Sequence, residues 1–229
     1  MKQIIPRLKS LGQKLKRGPA TTPVVIFDFD GTLANTLPVL VKEVNANAER
    51  YGYKPIADPA KLKDKDAFQI LTKEMKIPLW KLPYIVWRAR KLALSKLKIV
   101  EVFPETKELV HEIKKLAKVM ILTSNNEMVV KHVLKKAGIH IPGIYCSGIF
   151  NKHRALRRMM RKYHLAKAHV VYVGDEIRDV KACRRAGIKM IGVSWGYNSI
   201  ESLQEAGADH IVKDYQELIT LIRKLNRTS

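Results

Sequence analysis

Two aspartates two residues apart, Asp28 and Asp30, open a chemically suggestive set. It continues with Thr123-Ser124-Asn125, with Lys152, and with the acidic stretch Gly174-Asp175-Glu176-Ile177-Arg178-Asp179. A carboxylate attacks a phosphoryl group only when the repulsion between the two anions is neutralised and the approach is in line with the leaving oxygen. A magnesium ion does this, taking oxygen ligands in near-octahedral array: a few carboxylates, waters and the phosphate itself. Asp28, Asp175 and Asp179 could supply the protein's share. Asp30 follows a first carboxyl closely, which tends to raise its pKa and suits it to protonating a leaving alkoxide. Lys152 and Thr123 would hold the transferring oxygens, and amides of the Phe29 to Thr32 turn would add neutral donors. Each residue also has a plain structural reading. Acidic turns after strands are common, Thr123 is a strand-end hydroxyl, Lys152 is one of many surface lysines, and Asp179 is a solvated residue in a first helical turn. Agreement of type, order and position is what argues for a single site.

The elements that must position these groups follow from periodicity. Val24 to Phe29 is a short apolar run that ends in an acidic, glycine-containing turn, which reads as a buried strand feeding a loop. From Leu37 the period becomes helical, with Leu37, Leu40, Val41, Val44 and Ala48 on one face that stops at Gly52. Further helical patterns surround Phe68, Leu71 and Met75, and run from Tyr84 through Lys98, so residues 37–100 read as all-helical. After Pro104 the chain alternates. Helices at 105–117, 126–137, 152–164 and 177–186 are each followed by a strand, at 118–123, 143–147, 169–173 and 188–193. Asn198 with Glu201, and Asp214 with Glu217, resemble capping boxes opening two last helices, with a strand from Asp209 to Val212 between them.

Strands separated by helices of this length predict an α/β fold, a doubly wound parallel sheet covered on both faces with an inserted all-helical cap domain. The expected division is a basic extension at 1–23, a core formed by 24–36 with 104–229, and the cap at 37–103. An insertion at the carboxyl edge of a parallel sheet lies over the binding crevice. The chemically suggestive residues all follow or face strand carboxyl ends.

Composition narrows the class. With 229 residues, 46% hydrophobic and 28% charged, the chain suits a folded globular protein with a sizeable core. Its apolar runs are strand-sized, well short of the roughly 18 residues of a membrane span, which predicts a soluble protein. Cys146 and Cys183 form no CxxC, which fits a reducing cytoplasm and argues against a thiolate zinc site. The formal charge of +22 is spread along the chain: residues 1–23 hold six basic and no acidic residues, and residues 37–103 hold fourteen and seven. Diffuse positive charge attracts any anion. With 7% aromatics and no basic-aromatic cluster, the composition argues against nucleic acid as partner, while the charge alone does not single out a small phosphorylated metabolite from an acidic membrane. Within residues 1–17, Ile4, Ile5, Leu8, Leu11 and Leu15 recur at helical spacing among lysines and arginines. That pattern is compatible with weak contact with an anionic membrane and equally with a helix packed on its own domain. No GxGxxG, GxxxxGK[ST] or HExxH occurs, and the seven histidines show no zinc spacing.

The chain resembles the haloacid dehalogenase (HAD) superfamily, with its Rossmann-like core, in the phosphoglycolate-phosphatase-like branch that carries a helical cap after the first motif. Asp28-Phe29-Asp30-Gly31-Thr32-Leu33-Ala34-Asn35-Thr36 matches the first motif, Ile121-Leu122-Thr123-Ser124-Asn125 the second, Lys152 the third and Gly174 to Asp179 the fourth. The match covers about residues 24–215, leaving the basic tail outside it. The resemblance implies that Asp28 is the nucleophile, Asp30 the acid/base, and Thr123 and Lys152 the phosphoryl binders. Gly31, Thr32, Ser124 and Asn125 would border the substrate. Magnesium would be held by Asp28, Asp175 and the main-chain carbonyl of Asp30, with Asp179 acting through water. Glu176 is either a further ligand contact or a helix-start charge.

The function this implies is hydrolysis of a small phosphomonoester, phosphoglycolate-like or a sugar phosphate, through an aspartyl-phosphate. A phosphomutase on the same fold shares all four motifs, and a noncatalytic membrane- or nucleic-acid-associated relative is the alternative from another class. A dehalogenase would lack the carboxylate at Asp30. In the cap, Arg88, Arg90 and Lys91 could meet a second anion of the substrate, and Trp195-Gly196 could border the site or simply pack.

Overall fold

Apolar runs without alternation form the centre of the molecule, because a strand buried on both faces has no polar side. The computed structural model describes residues 22–58, 62–65, 69–84, 100–147 and 151–227. The amphipathic pattern at 1–17, Phe68, and the 85–98 stretch with Arg88, Arg90 and Lys91 lie outside these residues. Strand β1 (Val24–Phe27) is buried at every position. The chain then leaves the sheet into helices α1 (Leu37–Ala46) and α2 (Ala48–Tyr51), the latter stopped by Gly52 in the left-handed conformation.

After the insertion, α3 (Thr106–Leu116) leads to β2 (Lys118–Thr123), and α4 (Glu127–Lys136) to β3 (Gly143–Cys146). Helix α5 (Lys152–Lys162) leads to β4 (Val170–Gly174), and α6 (Ile177–Ala186) to β5 (Lys189–Val193). Helix α7 (Ile200–Glu205), strand β6 (His210–Val212) and helix α8 (Tyr215–Arg227) complete the chain. All six strands pair in parallel in the order β3-β2-β1-β4-β5-β6.

Successive strand residues point to opposite faces. Val25, Phe27, Ile121, Val173 and Ile191 meet the apolar stripes of α3, α4 and α8 on one side. Val24, Ile26, Met120, Leu122 and Tyr172 meet those of α5, α6 and α7 on the other. The direction of winding reverses between β1 and β4, and the carboxyl ends of these two strands therefore border the crevice where ligands bind in such sheets.

The described part of the insertion differs in detail from an all-helical block. Leu71 and Met75 belong to a single π-helical turn at Ile70–Glu74 and its end, where the Met75 amide donates to the Ile70 carbonyl at 2.9 Å. A 3-10 turn follows at Leu79–Lys81. Met75 and Ile77 centre a small apolar cluster with Val44, Tyr51, Tyr53 and Ile56. The two crossings between insertion and sheet are zipped together: the Asn35 amide donates to the Glu101 carbonyl at 2.9 Å and the Phe103 amide to the Leu33 carbonyl at 3.0 Å.

One capping expectation is corrected. Helix α7 is capped by Ser199, whose Oγ accepts from the Ser202 amide at 3.2 Å. Asn198 instead uses its Oδ1 to accept from the Ile177 amide at 2.9 Å, satisfying the start of α6 from a distance. At Asp214 the expected pattern holds, its Oδ1 accepting from the Glu217 amide at 2.8 Å.

Candidate active site

Asp28 is the first residue past β1, and its own amide continues the sheet ladder by donating to the Val173 carbonyl at 2.8 Å. Its side chain is turned inward and 1% exposed. Oδ1 accepts from the Phe29 amide at 2.7 Å, and Oδ2 accepts from Lys152 Nζ at 2.6 Å. Lys152 arrives from the first turn of α5, and the same ammonium donates to Asp179 Oδ1. Its Nζ also lies 5.3 Å from the centre of the Tyr172 ring. Both partners are buried, Asp179 being 0% and Lys152 5% exposed, so neither is the solvated surface group that a bland reading would make it.

Asp175, at the end of β4, is held by two donors from different parts of the chain. Thr32 Oγ1 donates to its Oδ1 at 2.7 Å and the Tyr197 amide to its Oδ2 at 2.7 Å. Two glycines make room for it. A Cβ at Gly31 would stand 2.1 Å from Asp175 Oδ2, and one at Gly196 2.1 Å from Asp175 Cβ, distances no side chain tolerates. Gly31 also has φ +76, the left-handed region that favours glycine. Trp195 fixes the same turn, its Nε1 donating to the Thr32 carbonyl at 3.1 Å.

Asp30 projects from the turn rather than the strand. Asn125 Nδ2 donates to its Oδ1 at 2.9 Å and Thr123 Oγ1 to its Oδ2 at 3.4 Å, while Thr123 Oγ1 accepts from the Asn125 amide at 2.9 Å. Ser124, between them, is half-buried. The structure thus brings Asp28, Lys152, Asp175, Asp179, Gly31 and Thr32 into one cluster, with Asp30, Thr123 and Asn125 forming its adjoining wall. Glu176 lies at the margin, paired with Arg178.

The electrostatics follow from burial. Desolvation, then the neighbouring Asp28, raises the Asp30 carboxyl to about 6, against the lowering effect of Asn125, Thr36 and Arg178. Asp175 is pushed well above the ordinary carboxylate value by burial and then by Glu176, Asp28 and Asp179. Asp179 is raised by burial, with Lys152 opposing. Burial works to lower Lys152, yet Asp179 and Asp28 outweigh it and hold the ammonium above its usual range. Carboxylates are therefore in excess over the one ammonium that balances them.

Three supporting residues are absent from the sequence reading as site residues: Tyr197, Asn198 and Asp64. Tyr197 holds Asp175 through its amide and donates its hydroxyl to the Leu62 carbonyl in the insertion at 2.8 Å. Asp64 Oδ1 accepts from the Ser199 amide at 2.6 Å and from Asn198 Nδ2 at 3.4 Å. For Tyr197 and Asn198 the one sequence signal is position, since 195–199 follow the carboxyl end of β5, the same edge that carries the other groups; Asp64, in the insertion, has none.

The family model for haloacid dehalogenase-like hydrolases matches residues 25–193. A phosphoglycolate phosphatase from Synechococcus elongatus is 31% identical over 209 residues, covering 89% of this chain and 98% of its own length. Among solved structures, a predicted phosphatase from Clostridium acetobutylicum shares 20% identity with a TM-score of 0.75, over 89% of this chain and 99% of its own. A haloacid dehalogenase-like family hydrolase from Streptococcus pneumoniae shares 19% identity with a TM-score of 0.69, over 88% of this chain and 98% of its own. At these identities the structural likeness is one of fold.

Proposed function

Because the chain belongs to the haloacid dehalogenase-like hydrolase family, we propose that it is a magnesium-dependent phosphatase, hydrolysing a small phosphomonoester through a phosphoryl group held transiently on Asp28. The observation that carries this reading is the buried contact of Lys152 with both Asp28 and Asp179, beside an Asp175 that two glycines and two hydrogen bonds hold in place. The name of the cyanobacterial relative favours phosphoglycolate, with sugar phosphates as close alternatives.

In this mechanism an Asp28 oxygen attacks phosphorus in line with the leaving oxygen, forming the acyl-phosphate bond as the ester P–O bond breaks. Asp30 gives its proton to the departing alkoxide. It then takes a proton from the water that attacks the same phosphorus, so that Asp28 is released and inorganic phosphate leaves. Its pKa of about 6 suits a group that must both donate and accept near neutrality. Lys152 offsets negative charge at Asp28, and Thr123 and Asn125 aim Asp30.

The donor set fits a divalent cation. One carboxylate oxygen from each of Asp28, Asp175 and Asp179 can be chosen so that all lie within 4.8 Å of one another, and Asp179 Oδ2 is buried without a hydrogen-bond partner. Those three residues and the main-chain carbonyl of Asp30 would hold magnesium, which when bound supplies the positive charge that lets a carboxylate and a phosphoryl group approach. Residues 24–36 and 104–229 form the catalytic body in this reading, and 37–103 the cap that excludes water. Among the described residues no helix is long and apolar enough to cross a membrane. With both cysteines free, we place the enzyme in the cytoplasm.

Phosphate release from phosphoglycolate and from p-nitrophenyl phosphate tests the reading. Turnover is expected with magnesium, lost in EDTA and restored by added magnesium. No release from any member of a phosphomonoester panel would overturn it, and a requirement for a bisphosphate activator would favour a mutase. Gly196→Ala is expected to lower kcat about 100-fold with the fold retained, since the new methyl group displaces Asp175 on the scale of an ångström. Unchanged kcat in that variant would mean that the Asp175 position is not critical.

A further inference from the structure

Folding gathers charge that the linear order disperses. Helices α5 and α6 lie side by side on one face of the sheet. Their outward surfaces expose Arg154, Arg157, Arg158 and Arg161 from the first, and Lys181, Arg184 and Arg185 from the second. The only acidic residue in either helix is Asp179, which is buried in the active site. Among the described residues none of these seven cations has an ion-pair partner. The opposite layer is basic too, but there lysines meet glutamates: Lys115 with Glu112 at 2.5 Å, Lys131 with Glu127 at 2.5 Å and Lys136 with Glu101 at 3.1 Å.

A solvated surface does not explain this arrangement. Like charges at i,i+3 and i,i+4, as at Arg154, Arg157, Arg158 and Arg161, destabilise a helix. Cations in a last turn are favoured by the helix dipole, which accounts for Arg161, Arg184 and Arg185, but Arg154 stands in the first turn, against it. His153 reports the convergence, lowered by desolvation and then by Arg185 from one helix and Arg154 and Arg157 from the other.

We propose that the α5/α6 face is a docking surface for the phosphate backbone of a nucleic-acid duplex. Six of the seven cations are arginines, where lysine would serve as readily if net charge were all that mattered. Here arginine dominates, and its planar guanidinium meets phosphate oxygens through paired hydrogen bonds. Arg154 to Arg161 spans about 10 Å along the helix, and adjacent packed helices stand about 8–10 Å apart. The two rows thus match the scale of a duplex groove, about 12 Å wide on the major side. The exposed large apolar side chains of the described residues are Leu40, Leu79, Trp80, Tyr84 and Met128, none of them on α5 or α6. The face therefore presents no exposed large apolar or aromatic side chain to an unpaired base or a lipid layer, which favours duplex phosphates over single strands or a bilayer. This surface is independent of the proposed hydrolysis.

Fluorescence anisotropy of labelled DNA and RNA duplexes with the full-length protein, across a salt series, tests the assignment. A patch variant combines Arg157→Gln, Arg161→Gln, Arg184→Gln and Arg185→Gln. A control of equal charge change combines Lys107→Gln, Lys114→Gln, Lys131→Gln and Lys135→Gln on the opposite layer. The patch variant is expected to bind at least about tenfold more weakly, with a salt slope shallower by about 2 to 3, and the control to stay within about threefold. Circular dichroism and thermal melting establish that both variants are folded. Equal losses in the two variants, or no duplex binding by the wild type at low salt, would overturn the proposal. So would patch-dependent binding to phosphatidylserine vesicles tighter than to either duplex, which would assign the face to a membrane. A preference between the DNA and RNA arms identifies which duplex the face takes.

Discussion

Asp28→Asn is expected to reduce phosphate release by more than about 10³-fold, because the amide that replaces the carboxylate has no oxygen able to form the acyl-phosphate bond. The substitution is nearly isosteric, and the remaining side-chain carbonyl can still accept from the Phe29 amide, now at 2.7 Å from Oδ1. The new NH2 group would face the Lys152 ammonium, which keeps its other partner, Asp179. Loss of one attraction is offset in part by relief of repulsion among the three clustered carboxylates, so the variant should fold. Activity on p-nitrophenyl phosphate, with circular dichroism of the same sample, separates a lost nucleophile from a lost fold. Turnover within tenfold of wild type would remove Asp28 from the chemistry.

Lys152→Met should damage both catalysis and stability. The ammonium lies against two carboxylates with side chains only 2% and 0% exposed, and methionine fills a similar volume without charge. Removing one member of a buried ion-paired group leaves the others uncompensated, a loss of about 3 kcal/mol or more in comparable cases. For a chain of this size that is a fall of about 6–12 °C in Tm, measured in metal-free protein. Turnover should fall in parallel, since the nucleophile and the phosphoryl group would meet with one balancing charge fewer. A Tm within about 2 °C of wild type would show that the buried contact contributes little.

The sheet was readable from sequence because its strands carry a signal with a single cause. Runs such as Val170 to Val173 are apolar throughout since both of their faces are covered, and each is followed by a helix with a clear apolar stripe. In the insertion the helical period was legible through α1 and α2 up to Gly52, and beyond them there is no comparable signal. There the described residues form short turns around Met75 and Ile77, and Asp64 and Lys76 adopt positive φ without the glycine that would announce it. Residue types at strand ends pointed to Asp28, Asp175 and Lys152, but what holds them was hidden. The Tyr197 amide on Asp175 is main chain and has no residue signature, and Asn198 looks like a local cap while its side chain serves Ile177, 21 residues away. The charge pattern was hidden likewise, since a count along the chain cannot tell that two basic helices become neighbours.

Among the described residues, the join between body and insertion draws on backbone atoms on the insertion's side. Tyr197 reaches the carbonyl of Leu62 and not its side chain, and the two crossings at Asn35 and Phe103 are amide-to-carbonyl pairs. Among the described residues Asp64 and Glu101 are the exceptions, their carboxylates accepting from the Ser199 amide and from Lys136. The backbone part of such a seam is indifferent to the letters it fastens, so a lineage, or a protein engineer grafting a foreign lid, can rewrite much of the insertion's vocabulary provided that the few side chains that reach the catalytic body are kept.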